Sequence, residues 1–224
     1  MALVTVLTVS GGPAQAATSH DYAGFALIEK GPASTSSSAA TTFTVPTVTC
    51  AAQAAGVIVG SGIFSSVSSS VSAGGVVVAC QGGTPTFTAQ AVVNNVVTTV
   101  PVAPVSGDTV STSVVIVPGQ TQVTVDDVTQ GTSSTTTVAA GSVGTYISNG
   151  IDVDRVPGVL PVPDFGVITF GDTSIDGLTV KAAHGRSVNL KSACCQCKRC
   201  YALQIKTGRL NAAGNGFTET FKHS

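Results

Sequence analysis

Apolar and β-branched residues come in short runs here, each closed by a turn signal, and that punctuation restricts the fold more than any other feature. Strands are read at 22–29, 42–45, 57–59, 76–80, 86–93, 96–102, 109–117 and 122–128. The turn signals are Gly31-Pro32, Gly82-Gly83, Pro104 to Gly107, Pro118-Gly119, Gly131 and Pro157-Gly158. Many short strands at near-regular spacing argue for a sandwich or barrel, and no window sustains a helical period. Ser-rich stretches at 34–40 and 65–72, and the stretch 131–137, are expected to be loops. The run 121–128 alternates cleanly: Val123 and Val125 share one face, Gln122, Thr124 and Asp126 the other, as in a half-buried strand.

A chain of 224 residues that is 43% hydrophobic can bury one sizeable core, so a single all-β domain is expected over 18–224. Charged residues are only 9% and the net charge is −1, the difference being made up by Ser, Thr, Gly and Ala. That mixture favours strands over helices. Residues 2–9 form an apolar run, followed by Gly12-Pro13 and Ala14-Gln15-Ala16, a small-x-small processing pattern. A signal peptide over 1–17 and export from the cell are therefore expected. No later stretch reaches the roughly 18 apolar residues of a membrane helix, so no membrane span is expected.

Strong bases crowd the end of the chain, where Lys181, Arg186, Lys191, Lys198, Arg199, Lys206, Arg209 and Lys222 are accompanied by one acid, Glu219. No recognisable nucleic-acid module accompanies them, and solvated strand edges that resist edge-to-edge pairing account for them better. A monomer without nucleic-acid partner is expected. His20, His184 and His223 are scattered, and neither an H-E-x-x-H nor a G-x-S-x-G elbow occurs, so serine, metal and nucleotide chemistry find no support and no cofactor is expected. Cys194, Cys195, Cys197 and Cys200 place four thiols within seven residues. A soft-metal site and disulfides, within the segment or to another chain, both fit this spacing.

A ladder of short matches runs from Tyr22 to Phe221. Tyr22-Ala23-Gly24-Phe25 is similar to W-A-G-Y, Phe43-Thr44-Val45-Pro46 with Cys50 to F-x-V-P-x-x-x-C, and Ser106-Gly107-Asp108-Thr109-Val110 to P-G-D-x-I. The run from Val71 to Cys80 with Gln81-Gly82-Gly83-Thr84-Pro85 resembles V-E-Q-x-G-T-x-x-D-C-x-G-G-T-P. Asp127 and Thr129 fit a W-x-I-x-V-x-D-x-T segment, Gly150 to Arg155 resembles E-W-I-V-E-R, and Asp164-Phe165-Gly166 with Phe170 resembles D-F-G-x-V-T-F. In this order the pieces resemble the eqolisins, secreted acid endopeptidases in which a glutamate activates water and a glutamine amide stabilises the oxyanion. The resemblance implies a concanavalin A-like sandwich of two antiparallel sheets.

It also implies that the catalytic glutamine position is held by Ala73 and the glutamate position by Gly150. The family segment Y-x-A-W-x-E reads Phe87-Thr88-Ala89-Gln90-Ala91-Val92, so Gln90 replaces the aromatic residue and Val92 the acid. Cys50 and Cys80 sit where eqolisin-like sequences carry a pair. A disulfide there would contribute on the order of 3 kcal/mol. Asp152 and Asp154, two apart on a strand, are the fallback acids, since such residues share a face and could share a proton. The expected function is an exported eqolisin-like protein, catalytically inactive, with a binding or surface role. An active acid endopeptidase with substituted groups and a glycan-binding sandwich are the alternatives, the last by fold analogy. Peptide or glycan is accordingly the expected partner. Restoring Gln at 73 and Glu at 150 is expected to leave the fold intact.

Overall fold

The computed structural model describes residues 17–19, 22–28, 37–50, 54–65, 70–139, 146–153, 162–193 and 201–222. Among them are sixteen strands and no helix: β1 Ala17–Ser19, β2 Tyr22–Ile28, β3 Ser38–Thr44, β4 Ala54–Ser65, β5 Ser70–Gln81, β6 Thr84–Val93, β7 Val96–Thr99 and β8 Thr109–Val117. The chain continues with β9 Gln120–Asp127, β10 Thr132–Ala139, β11 Tyr146–Val153, β12 Val167–Ile175, β13 Leu178–Thr179, β14 Arg186–Ala193, β15 Tyr201–Thr207 and β16 Phe217–Phe221. Residues 38–40, 65, 70–72 and 132–137, expected as loop, are strand. Serine and threonine misled there, because pairing with β8, β4 and β9 holds segments that have little apolar pattern of their own. Residues 1–16, and with them most of the expected signal peptide, lie outside the described residues.

Hydrogen bonding runs unbroken through β10-β9-β8-β3-β12-β16-β15-β14-β2-β11-β4-β5-β6-β7, antiparallel throughout, while β1 adds to β14 in parallel. The path folds over on itself into two layers. β4, β5 and β6 of one layer pack against β3, β8 and β9 of the other. Alternation supplies the interface: Val57, Val59 and Ile63 of β4, Val76 and Val78 of β5, Ala89, Ala91 and Val93 of β6, and Val110, Val114, Val123 and Val125 opposite are all buried. The face predicted for Val123 and Val125 is therefore the core face.

Two buried hydroxyl pairs satisfy each other, Ser61 of β4 with Thr112 of β8 across the layers at 3.0 Å and Thr41 with Thr173 between the neighbouring strands β3 and β12 at 2.8 Å. Where the layers join, aromatic rings replace valines: Phe170 stacks on Phe217 with centroids 4.6 Å apart, and Phe217 meets Phe25 edge-on at 4.9 Å. Cys50 and Cys80 form a disulfide with Cα atoms 5.6 Å apart, tying the segment after β3 to the end of β5. At the far end, buried Asp108 accepts hydrogen bonds from the Val105 amide at 2.8 Å and from Gln130 Nε2 at 2.6 Å, which hold its carboxyl below the ordinary value of 3.8. Asp127 accepts from the Gln130 amide at 3.0 Å. These two family-like aspartates thus pin the turns around β8 and β9.

Candidate functional site

On β4, Val57, Val59, Ser61 and Ile63 are taken up by the core, so the two-residue period turns Ile58, Gly60, Gly62 and Phe64 to the outer face of the layer. Register carries that face sideways. Gly60 pairs with Gly75 of β5 and with Gly150 of β11, Gly62 pairs with Ala73, Ala73 with Val92 of β6, and Gly150 with Gly24 of β2. Ala73 and Gly150 are thereby set on one face with only β4 between their strands, about 10 Å apart across the sheet.

Both line one shallow depression of about 60 Å³, together with Tyr22, Ile58, Phe64, Val71 and Val92 and the backbone of Gly60, Gly62 and Gly74. A site that encloses a small molecule occupies roughly 300–1,000 Å³, so this one suits a single apolar side chain. Its hydroxyls are engaged: Ser61 turns inward to Thr112, and Tyr22 donates to the Phe25 carbonyl at 3.0 Å. Among the described lining residues there is no carboxyl, carboxamide, imidazole or thiol.

Gly150 holds its backbone at φ 154°, in the region open to glycine, and Gly24 beside it at φ 141°. A Cβ on Gly150 would lie 2.2 Å from the Ala23 carbonyl oxygen and 2.7 Å from Gly24 Cα. The expectation that a Glu at 150 would leave the fold intact is therefore corrected: the obstacle is backbone, which a flexible neighbour cannot relieve. Ala73 meets no such limit, since its β-carbon is already accommodated beside Gly62.

The other residues singled out in the sequence divide. Val92, at the position of the family acid, lies against Ala73, whereas Gln90 pairs with Gly75 and Thr99 and is not in the lining. Asp152 pairs in register with Ile58 and Tyr22, two residues along β11 from Gly150. Asp154, Cys194, Cys195, Cys197 and Cys200 lie outside the described residues, and no group of three or more metal-ligating side chains occurs among the described ones.

Sequence reading missed Glu219. It is fully buried on β16, its carboxyl 3.2 Å from Thr207 Oγ1, and burial drives its pKa well above the ordinary 4.5. The signal was present in Phe217-Thr218-Glu219-Thr220-Phe221, whose alternation sets Glu219 on the same face as two phenylalanines.

The geometry can be set beside known proteins. The sequence model described as "Peptidase A4 family" matches residues 20–203. Among solved structures, scytalido-glutamic peptidase with a transition state analog inhibitor superposes with a TM-score of 0.67 at 16% identity, covering 91% of this chain and 98% of that one. SCP-B, a member of the eqolisin family in complex with the tripeptide Ala-Ile-His, gives 0.64 at 17% identity with the same coverage. Aspergilloglutamic peptidase from Aspergillus niger gives 0.50 at 15% identity, covering 82% and 99%. No curated protein sequence matches the chain. The structural likenesses establish the fold, the antiparallel β-sandwich expected from the sequence, and the family match over most of the chain settles the lineage: the chain belongs to the peptidase A4 family.

Proposed function

We propose that this protein is an exported member of its family that has lost peptide hydrolysis and retains its outer-face depression as a binding site for an apolar side chain of a peptide. One observation carries the reading: Ala73 and Gly150, the positions assigned by resemblance to the catalytic pair, share an apolar depression, and the backbone at Gly150 excludes any side chain. Peptide hydrolysis requires a base within reach of the attacking water and a donor facing the developing oxyanion. Ala73 and Gly150 supply neither. Loss of a single oxyanion donor lowers kcat by about a hundred- to a thousandfold, so loss of both groups removes activity for practical purposes. The tripeptide held by SCP-B makes peptide the ligand class favoured over glycan. Export is supported by the disulfide, which suits an oxidising compartment, and no described helix is long and apolar enough to cross a membrane.

Pure protein incubated with denatured casein between pH 2 and 7 is expected to produce no new termini. A second reading, a peptidase with a substituted acid, rests on the position of Asp152 two residues along β11 from Gly150, in register with Tyr22 and Ile58. Casein cleavage that vanishes in Asp152→Asn would establish that reading and overturn the first.

A further inference from the structure

Glu219 sits opposite Thr207 on β15 and Ile168 on β12, and none of its side chain reaches solvent. Its Oε1 has no hydrogen-bond partner, and its Oε2 meets only the Thr207 hydroxyl. That hydroxyl has a single proton. It also bonds to the carbonyl oxygen of Val188 on β14, which can only accept, and it receives the amide of Gly24 on β2 at 3.1 Å. With the Thr207 proton committed to Val188, the contact with Glu219 is a hydrogen bond only when the carboxyl carries a proton and donates it. An ionised Glu219 would instead direct one oxygen at a lone pair and leave the other with nothing, a buried charge without compensation.

No nearby base offers that compensation among the described residues. On β15, Lys206 pairs with Thr220, faces away from Glu219 and is exposed. On β12 the acid is Asp172, exposed and beyond the residues paired with β16. Arg186 of β14 and Lys222 after β16 are exposed, Lys191 is placed opposite Leu203, Asp164 before β12 is exposed, and the titratable group of β2 is Tyr22, bonded to the Phe25 carbonyl.

We propose that Glu219 is a proton-binding site that gates the depression: as a neutral acid it closes a strut from β16 through Thr207 to Gly24 and Val188, and loss of the proton releases the strut and the floor it supports. The link to the floor is the register, because Gly24 pairs with both Val188 and Gly150, which lines the depression. The direction follows from proton linkage. The native state keeps the proton at pH values where the unfolded chain, at about 4.5, has released it. Stability is therefore full in acid and falls as pH rises above that value, by a factor of about ten in the folding equilibrium per pH unit, until the native carboxyl itself titrates. A protein of this design keeps its depression formed in acid and opens it as the medium turns neutral to alkaline.

The test is urea unfolding of the full chain and its Glu219→Gln variant from pH 4 to 8, with infrared detection of protonated carboxyl and amide exchange at Gly24. From pH 5 upward the wild-type folding constant is expected to fall relative to the variant, whose carboxamide is the uncharged analogue of the acid, by up to about tenfold per pH unit until the native carboxyl titrates. A protonated-carboxyl band should persist in the wild type at pH 6, and Gly24 protection, corrected for intrinsic exchange, should decline with it. Parallel pH profiles would overturn the proposal. Should the variant not fold, absence of the infrared band in native wild type at pH 6 would overturn it equally, and Gly24 protection unchanged after the band is lost would refute the strut.

Discussion

Gly150 determines what the outer face can become. A residue there needs a backbone at φ 154° and space where the Ala23 carbonyl already lies, so Gly150→Ala should destabilise by about 2 kcal/mol or more, measured as a shift in urea midpoint at unchanged slope. Ala73→Gln should cost less than about 1 kcal/mol, because its side chain faces outward from an accommodated β-carbon. The contrast tests the account of the site: if Gly150→Ala is as mild as Ala73→Gln, β2 and β11 are not as close as described. The sequence alone revealed that both positions lacked catalytic side chains. It could not reveal that one had also become closed to any side chain, because close approach of Ala23 and Gly24 is a property of register. Glu219 shows the reverse case, legible in the alternation of Phe217 and Phe221 yet overlooked because a glutamate at a chain end reads as surface.

Neighbouring strands β9 and β10 differed in how readable they were. β9 was evident from Val123 and Val125, whereas β10, Thr132–Ala139, buries no side chain fully and owes its conformation to the ladder with β9 and the Thr124 to Thr135 hydroxyl bond at 3.0 Å. The glycine of β5 at position 74 shows how tightly the layers meet: a Cβ there would stand 2.9 Å from Val123 Cγ1 in the core. Gly74→Ala should therefore overpack the contact between β5 and β9 and cost about 1–3 kcal/mol, read from denaturant unfolding. An unaffected midpoint would mean that the valines of β9 have room to move. The Cys50 to Cys80 disulfide, implied by resemblance and present in the fold, closes a loop with a separation of 30 residues. Its removal by Cys50→Ala with Cys80→Ala should lower stability by about 3 kcal/mol.

At the scale of the whole molecule, two buried carboxyls impose opposite pH dependences. Asp108, held ionised by the Val105 amide and Gln130, contributes stability that is present above its unfolded value of 3.8 and is lost on further acidification. Glu219 contributes stability that is lost as pH rises above 4.5. Together they favour a stability maximum in mild acid, and thermal unfolding across pH 2 to 8 should place the highest Tm there, with Asp108→Asn flattening the acid limb alone. The architecture that carries these groups was legible as an antiparallel sandwich, since punctuation narrowed it to a sandwich or barrel and the family resemblance implied the sandwich. What the sandwich does with its outer face depends on the loss of chemistry at Ala73 and Gly150, and one measurement addresses that directly. A random peptide mixture dialysed to equilibrium against the protein at pH 4, then read by mass spectrometry, should show peptides with apolar side chains enriched on the protein side and every peptide at its original length. Shortened peptides with new termini at the protein side would contradict the account.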